Sequence, residues 1–178
     1  MQIKTVFAGF GGQGVLMMGY SLAHAAMHEG LHVTYLPSYG AEVRGGTANC
    51  TVAVSDEEIA SPVASQPDFI VAMNTPSLMA FQTRIAPGGA FFLNSSIVEG
   101  RPNRSDITLY EIPAAGIASD LGSPRVQNVV MMGAYVKATR LVSADTYLKS
   151  LKSILGSRKK AAMEVNRKAF SAGYDFVD

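Results

Sequence analysis

The stretch AGFGGQGV, Ala8–Val15, stands between the apolar run Ile3–Phe7 and a segment in which Leu16, Tyr20, Ala23 and Met27 recur at helical spacing. A chain that passes from a strand to a helix through Gly9–Gly14, six residues of which four are glycine, has few folds open to it. Glycine reaches positive φ without a steric clash and lets a ligand or a neighbouring element approach the backbone. The pattern predicts a strand over Ile3–Ala8, a turn over Gly9–Gly14 and a helix over Val15–His28 that Gly30 stops. A second strand, His32–Leu36, follows and is expected to break at Pro37. Strand, glycine turn, helix, strand is the opening unit of an open parallel sheet.

The next segment leaves that alternation. Pro37–Gly46 reads as a loop, and Thr47–Val54 is β-branched and alternating, hence a strand. No helix fits between strands two and three, so an inserted strand or hairpin is expected. Asp56–Gln66 is a polar connection. Strands are predicted over Phe69–Met73, Ala90–Asn94 and Ile107–Ile112, with a turn at Pro87-Gly88-Gly89. A helix is predicted over Thr75–Ile85, capped by Thr75 with Pro76 at its first position. Further helices are expected over Pro113–Leu121, Val126–Arg140, Ala144–Leu155 and Lys159–Ala172. There is no internal repeat or low-complexity tract. The expected fold is one α/β domain over residues 1–178. Its open, mostly parallel, Rossmann-like sheet carries an inserted strand or hairpin and a helical C-terminal end.

Composition narrows the function. Hydrophobic residues make up 48% and charged residues 16%, which excludes a disordered chain and suits a globule with apolar surface left for a partner. A formal net charge of +1 gives no field that favours nucleic acid, and the basic run Ser157–Lys160 reads as a solvated helix start. Cys50 is the only cysteine, so the chain forms no internal disulfide, and it lacks the roughly four thiolates an iron–sulfur cluster takes. No leader pattern is present and no apolar run reaches the ~18 residues of a membrane span, so a cytoplasmic location is expected, with no membrane partner. His24 and His28 can share a helix face, but Gly30 separates them from His32 and no H-E-x-x-H pattern occurs, so they read as surface residues and no metal site is expected. Ser38 has no evident base or acid nearby, and no catalytic residue is assigned to this chain. Met17, Met18, Met27, Met131 and Met132 read as core or interface filler.

The amides of a glycine turn and the start of the helix behind it favour an anion, and Gln13 adds a side-chain donor and acceptor. The G-x-G-x-x-G spacing of Gly9, Gly11 and Gly14 raises the possibility of a dinucleotide. That site also needs an acid at the tip of the second strand for the ribose, and here the strand runs into Pro37-Ser38-Tyr39-Gly40. The plain alternative is a tight turn that only packs helix on strand. The rarer feature is PSYGAEVRGG, Pro37–Gly46, which should emerge beside the glycine turn at the crevice where open α/β sheets bind ligands. Within it Arg44 either pairs with Glu42 or takes a carboxylate or phosphate with its planar fork. Asn74 either points into the same crevice or serves helix entry, and Asn128 reads as a cap or packing residue.

The segments GFGGQGV, PSYGAEVRGGTANCTVAVSD, ASPVASQPDFIVAMN and NVVMMGAY together resemble the gamma subunit of 2-oxoacid:ferredoxin (acceptor) oxidoreductases, the pyruvate/ketoisovalerate oxidoreductase catalytic domain family. The similarity runs over about residues 3–175. A closely similar domain occurs in indolepyruvate oxidoreductases. The resemblance implies an oxidoreductase acting on the oxo group of donors such as pyruvate, 2-oxoglutarate or branched-chain acids, oxidatively decarboxylating them onto coenzyme A. Thiamine diphosphate with Mg and Fe–S clusters would reside in alpha, beta and delta partners, which pass electrons to ferredoxin or another acceptor. This chain binds no cofactor alone, shows no GDG…N diphosphate motif and is expected to be inactive in isolation. Gly9, Gly11, Gly12, Gln13 and Gly14 match the family's first glycine motif, and Pro37, Tyr39, Gly40, Glu42, Arg44, Gly45 and Gly46 its second. With Ser38 and Asn74 these are the candidate ligand- or interface-binding residues. A stand-alone nucleotide-binding oxidoreductase and a regulatory module that binds a small anion are the other readings.

Overall fold

Strand β1 (Gln2–Phe10) is buried on both faces from Thr5 to Gly9, which places it inside a sheet. The computed structural model describes residues 1–40, 46–156 and 160–178. Six strands are ordered β2 (His32–Tyr39), β3 (Thr47–Ser55), β1, β4 (Phe69–Ala72), β5 (Ala90–Asn94), β6 (Thr108–Ile112). The β1–β4, β4–β5 and β5–β6 pairs are parallel, and β3 runs antiparallel to both β1 and β2. The expected inserted hairpin is therefore β2–β3, with β3 wedged between β2 and β1.

Helices α1 (Val15–His28), α4 (Gln127–Thr139), α5 (Ala144–Leu155) and α6 (Lys160–Phe176) gather on one face; α2 (Thr75–Phe81) lies on the other and α3 (Ala114–Asp120) leads into α4. Alternation along the strands divides the core accordingly. Phe7, Cys50, Val52, Val71 and Phe92 face the larger helical layer, whereas Val6, Ala8, Ile70, Phe91 and Leu93 face Leu78, Phe81 and Ile85. Tyr135 of α4 sits at the middle of the larger layer, fully buried, against Phe7, Phe69 and Phe92 at 5.4–5.9 Å between ring centroids. Its hydroxyl meets the Thr5 hydroxyl at 2.6 Å, so the polar tip is not left unpaired. Helices α4 and α6 touch backbone to backbone. A Cβ on Gly133 would stand 2.1 Å from the Phe170 carbonyl oxygen, and one on Gly173 would stand 1.8 Å from that of Val130.

Four local expectations are corrected. Pro37 does not end β2, which continues to Tyr39. The strand lies at the sheet edge, where a missing N–H is tolerated. Ser38 and Tyr39 are therefore strand residues. Asn74, not Thr75, caps α2, its Oδ1 accepting the Ser77 N–H at 2.8 Å, and the helix stops at Phe81 rather than Ile85. Helix α6 continues to Phe176, past Ala172. The basic run from Ser157 lies mostly outside the described residues. Met18, Met131 and Met132 are buried, while Met17 and Met27 are exposed. Among the described residues no helix is long and apolar enough to cross a membrane.

The far end of α1 is tied to α5. Glu29 accepts the Ser143 N–H at 2.8 Å, and Ser143 caps α5 by accepting from the Thr146 N–H at 3.1 Å. Desolvation alone would push Glu29 up, but the bonds from Ser143 and Thr146 outweigh it and hold the carboxyl below its ordinary 4.5. A carboxyl lowered by folding adds stability that is complete above its ordinary pKa and is lost as pH falls through its folded value. Wild type is therefore expected to be more stable than Glu29→Gln at pH 7, with the gap shrinking as acid protonates the carboxyl below 4.5. Urea melts at several pH values check this.

Candidate functional site

Strands β1 and β4 are parallel neighbours whose following helices go to opposite faces. Val15, Met18 and Leu22 of α1 pack in one core and Leu78 and Phe81 of α2 in the other. Such a switch point opens a crevice at the carboxyl ends of the strands. The glycine turn lies at this rim. The β2–β3 hairpin also turns there, because Phe10 pairs with Thr47 and Tyr39 with Ala48. The Gly11 N–H donates to the Gly46 carbonyl at 2.9 Å, joining the two glycine-rich segments, and the Gly40 N–H donates to Thr47 O at 2.7 Å.

Gly12 at φ 96° and Gly14 at φ 76° occupy the left-handed region, which explains glycine at both. At Gly14 a Cβ would also stand 2.4 Å from the Asn128 amide nitrogen, whereas at Gly12 it would meet open space. Gly14 begins α1, and no side chain caps that end. The first-turn amides of a helix have no intrahelical acceptor, so they remain available to an anion. Gly9 serves packing instead, since a Cβ there would stand 2.6 Å from Gln13 Oε1 and 2.8 Å from Val15 Cγ1.

The Gln13 side chain is committed inward. Its Oε1 accepts the Phe10 N–H at 2.7 Å and an Asn74 amide N–H at 3.2 Å, and its Nε2 donates to Met73 O at 3.0 Å. It clasps the ends of β1 and β4. Asn74 thus serves both functions open to it in the sequence, capping α2 and reaching into the crevice wall. Asn128 packs on the turn, with its Nδ2 3.5 Å from Gly14 O. Ser38 and Tyr39 are exposed on the edge strand, Tyr39 to 70%. Glu42, Arg44 and Gly45 lie outside the described residues.

A second carboxamide pair was missed in the sequence. Asn94, fully buried at the end of β5, donates to Gln127 Oε1 at 3.0 Å and accepts the Ala115 N–H at 3.3 Å. The available signal was position: Asn74 after VAM and Asn94 after FFL each put a polar residue at the carboxyl end of an apolar strand. The rim groups named here are backbone amides and neutral carboxamides. Of these the first-turn amides of α1 are left for phosphate or carboxylate oxygens, since the Gly11 and Gly40 amides and the Gln13, Asn74 and Asn94 side chains are engaged within the chain.

The donor set does not fit a metal or a cluster. No trio of His, Cys, Asp or Glu is placed to hold a metal among the described residues. The His24 and His28 rings lie 4.6 Å apart without a third ligand group. Cys50 is buried beneath α1, and desolvation pushes its thiol up to about 12. A neutral, inaccessible thiol is a poor nucleophile. Cys50 is expected to resist an aromatic disulfide reagent at pH 8 in the folded chain and to react fully in denaturant. Rapid labelling of the native protein would contradict this burial. Nor does the sheet order suit a dinucleotide. The strand beside β1 on the hairpin side is β3, which begins at Thr47 where a parallel second strand would end in the ribose-binding acid.

The chain matches the family model for pyruvate ferredoxin/flavodoxin oxidoreductase over residues 4–176. It is 36% identical to the ketoisovalerate oxidoreductase subunit VorA of Methanothermobacter thermautotrophicus over 99% of its own length, spanning 36% of that curated relative. The gamma subunit of a keto/oxoacid ferredoxin oxidoreductase from Geobacter sulfurreducens superposes with a TM-score of 0.82 at 28% identity, covering 97% of this chain and 96% of that one. The 2-oxoglutarate:ferredoxin oxidoreductase of Magnetococcus marinus, solved with 2-oxoglutarate, coenzyme A and succinyl-CoA bound, gives 0.91 at 25% identity over 99% of this chain and 32% of its own. With nearly its whole length matched and its fold shared, the chain belongs to the pyruvate ferredoxin/flavodoxin oxidoreductase family.

Proposed function

We propose that this chain is the gamma subunit of a coenzyme A-dependent 2-oxoacid:acceptor oxidoreductase and that its glycine rim borders the substrate and coenzyme A region of the assembled enzyme. The observation that carries the proposal is the Gly11–Gly46 bond, which brings both family motifs to one rim beside the uncapped start of α1. Amides there are suited to hold phosphate or carboxylate oxygens of a ligand that a partner subunit covers. The chain's part is to bind and orient, because apart from the exposed Ser38 and Tyr39 hydroxyls the described rim groups are backbone amides and carboxamides. Thiamine diphosphate supplies carbanion chemistry and Fe–S clusters carry electrons when bound in alpha, beta and delta partners; among the described residues of this chain no ligand trio is placed to hold a metal, and its single cysteine does not suit a cluster. A cytoplasmic location, where 2-oxoacids, coenzyme A and a ferredoxin-type acceptor meet, goes with this reading.

The test is reconstitution. Partner subunits expressed with this chain are expected to reduce the acceptor in a 2-oxoacid- and coenzyme A-dependent reaction, while the chain alone does nothing. If the partners are fully active without it, or if it purifies from its host alone, the proposal fails.

A further inference from the structure

At the end of the helical layer away from the glycine rim, the ends of α1 and α4 meet the start of α5 and the last turns of α6 around a cleft of about 510 Å³. Its lining includes Glu29, Lys137, Arg140, Val142, Ser143 and Tyr174. This volume is in the range of small-molecule sites. Lys137 Nζ lies 5.1 Å from the centre of the Tyr174 ring, a cation–π contact that fixes the ammonium on the cleft wall. Neither Lys137 nor Arg140 is in a salt bridge among the described residues. The one carboxylate of the lining, Glu29, is bound to the Ser143 N–H at the amino end of α5. The cleft thus presents two cations and one ionised carboxylate, leaving net positive charge, beside the partly exposed Tyr174 ring.

Arg140 adds a second observation. It ends α4 at φ 51°, the left-handed region, and is the only non-glycine residue with positive φ among those described. Beyond α1 and α3 a positive φ is taken instead by glycine, at Gly30 and Gly122. Glycine adopts it without strain and arginine does not. The sequence accepts that strain at a helix end whose side chain lines the cleft.

We infer that this cleft binds an organic phosphate, with Arg140 and Lys137 taking the phosphate oxygens and the Tyr174 ring taking the organic part. A guanidinium fork beside an ammonium is suited to phosphate oxygens, and the Tyr174 ring adds contact that a bare phosphate lacks. The site is independent of the glycine rim and of the reaction proposed above.

Calorimetry on the full-length chain with ADP and inorganic pyrophosphate as probes tests this. ADP is expected to bind saturably and more tightly than pyrophosphate. Arg140→Gly should weaken ADP by about tenfold or more while raising the melting temperature, since glycine removes the strain. Lys137→Met should weaken it as well. No saturable binding of either probe overturns the inference. So does binding that survives both substitutions, which would belong elsewhere on the molecule, or pyrophosphate binding as tightly as ADP.

Discussion

Replacing Gly173 by alanine is expected to lower the unfolding free energy by at least about 3 kcal/mol. The added Cβ would stand 1.8 Å from Val130 O and 2.7 Å from Val130 C, both backbone atoms of α4. Overfilling a packed site typically costs about 1–3 kcal/mol when side chains can shift. Here a carbonyl inside a helix must move, so the whole of α6 must lift. That helix carries Phe170, whose ring stacks on Tyr147 at 5.1 Å and closes the core, so the damage spreads beyond one contact. Gly133→Ala should behave alike, because its Cβ would meet Phe170 O at 2.1 Å. Gly116→Ala is the control. It lies in α3 with only Ser96 Oγ at 3.5 Å, ordinary contact, and should stabilise by about 0.5–1 kcal/mol as helix glycines do. Urea melts of the three variants check the order. A loss below about 1 kcal/mol at Gly173 would mean that α6 does not seat on α4 as described.

Gln13→Leu is expected to cost about 2–4 kcal/mol, because it removes a clasp of three hydrogen bonds at nearly constant side-chain size. The Phe10 N–H, the Met73 carbonyl and the Asn74 amide each lose a partner, and Met73 and Asn74 are buried. Asn74→Ala removes the α2 cap and should cost less, about 1 kcal/mol. In the assembled complex the loosened rim should also raise KM for coenzyme A in Gln13→Leu. Lost stability with an unchanged KM would confine Gln13 to holding the fold.

Local signals carried the opening unit far. An apolar run, four glycines and an amphipathic stretch place β1, the turn and α1 within two residues of their observed bounds. What local sequence lacks is the neighbour. Pro37 reads as a breaker until β2 proves to be an edge strand. Thr75 and Asn74 are both good caps, and Asn74 is the one linked to Gln13, 61 residues away in the chain. Gln13 itself reads as a donor for a ligand because Met73 and Asn74 are distant in sequence. Gly133 and Gly173 carry no local signal, because the backbone that each one meets belongs to another helix. The nearness of the two segments' described ends, joined by the Gly11–Gly46 bond, follows from β1 and β2 running the same way in the sheet.

The most direct measurement is hydrogen–deuterium exchange on the reconstituted complex with and without coenzyme A. If the glycine rim borders the coenzyme A region, amides from Gly11 to Met17 and at Gly46 should exchange more slowly when coenzyme A is present. Identical exchange there in both conditions, with protection confined to the partner subunits, would contradict the placement of this rim at the site.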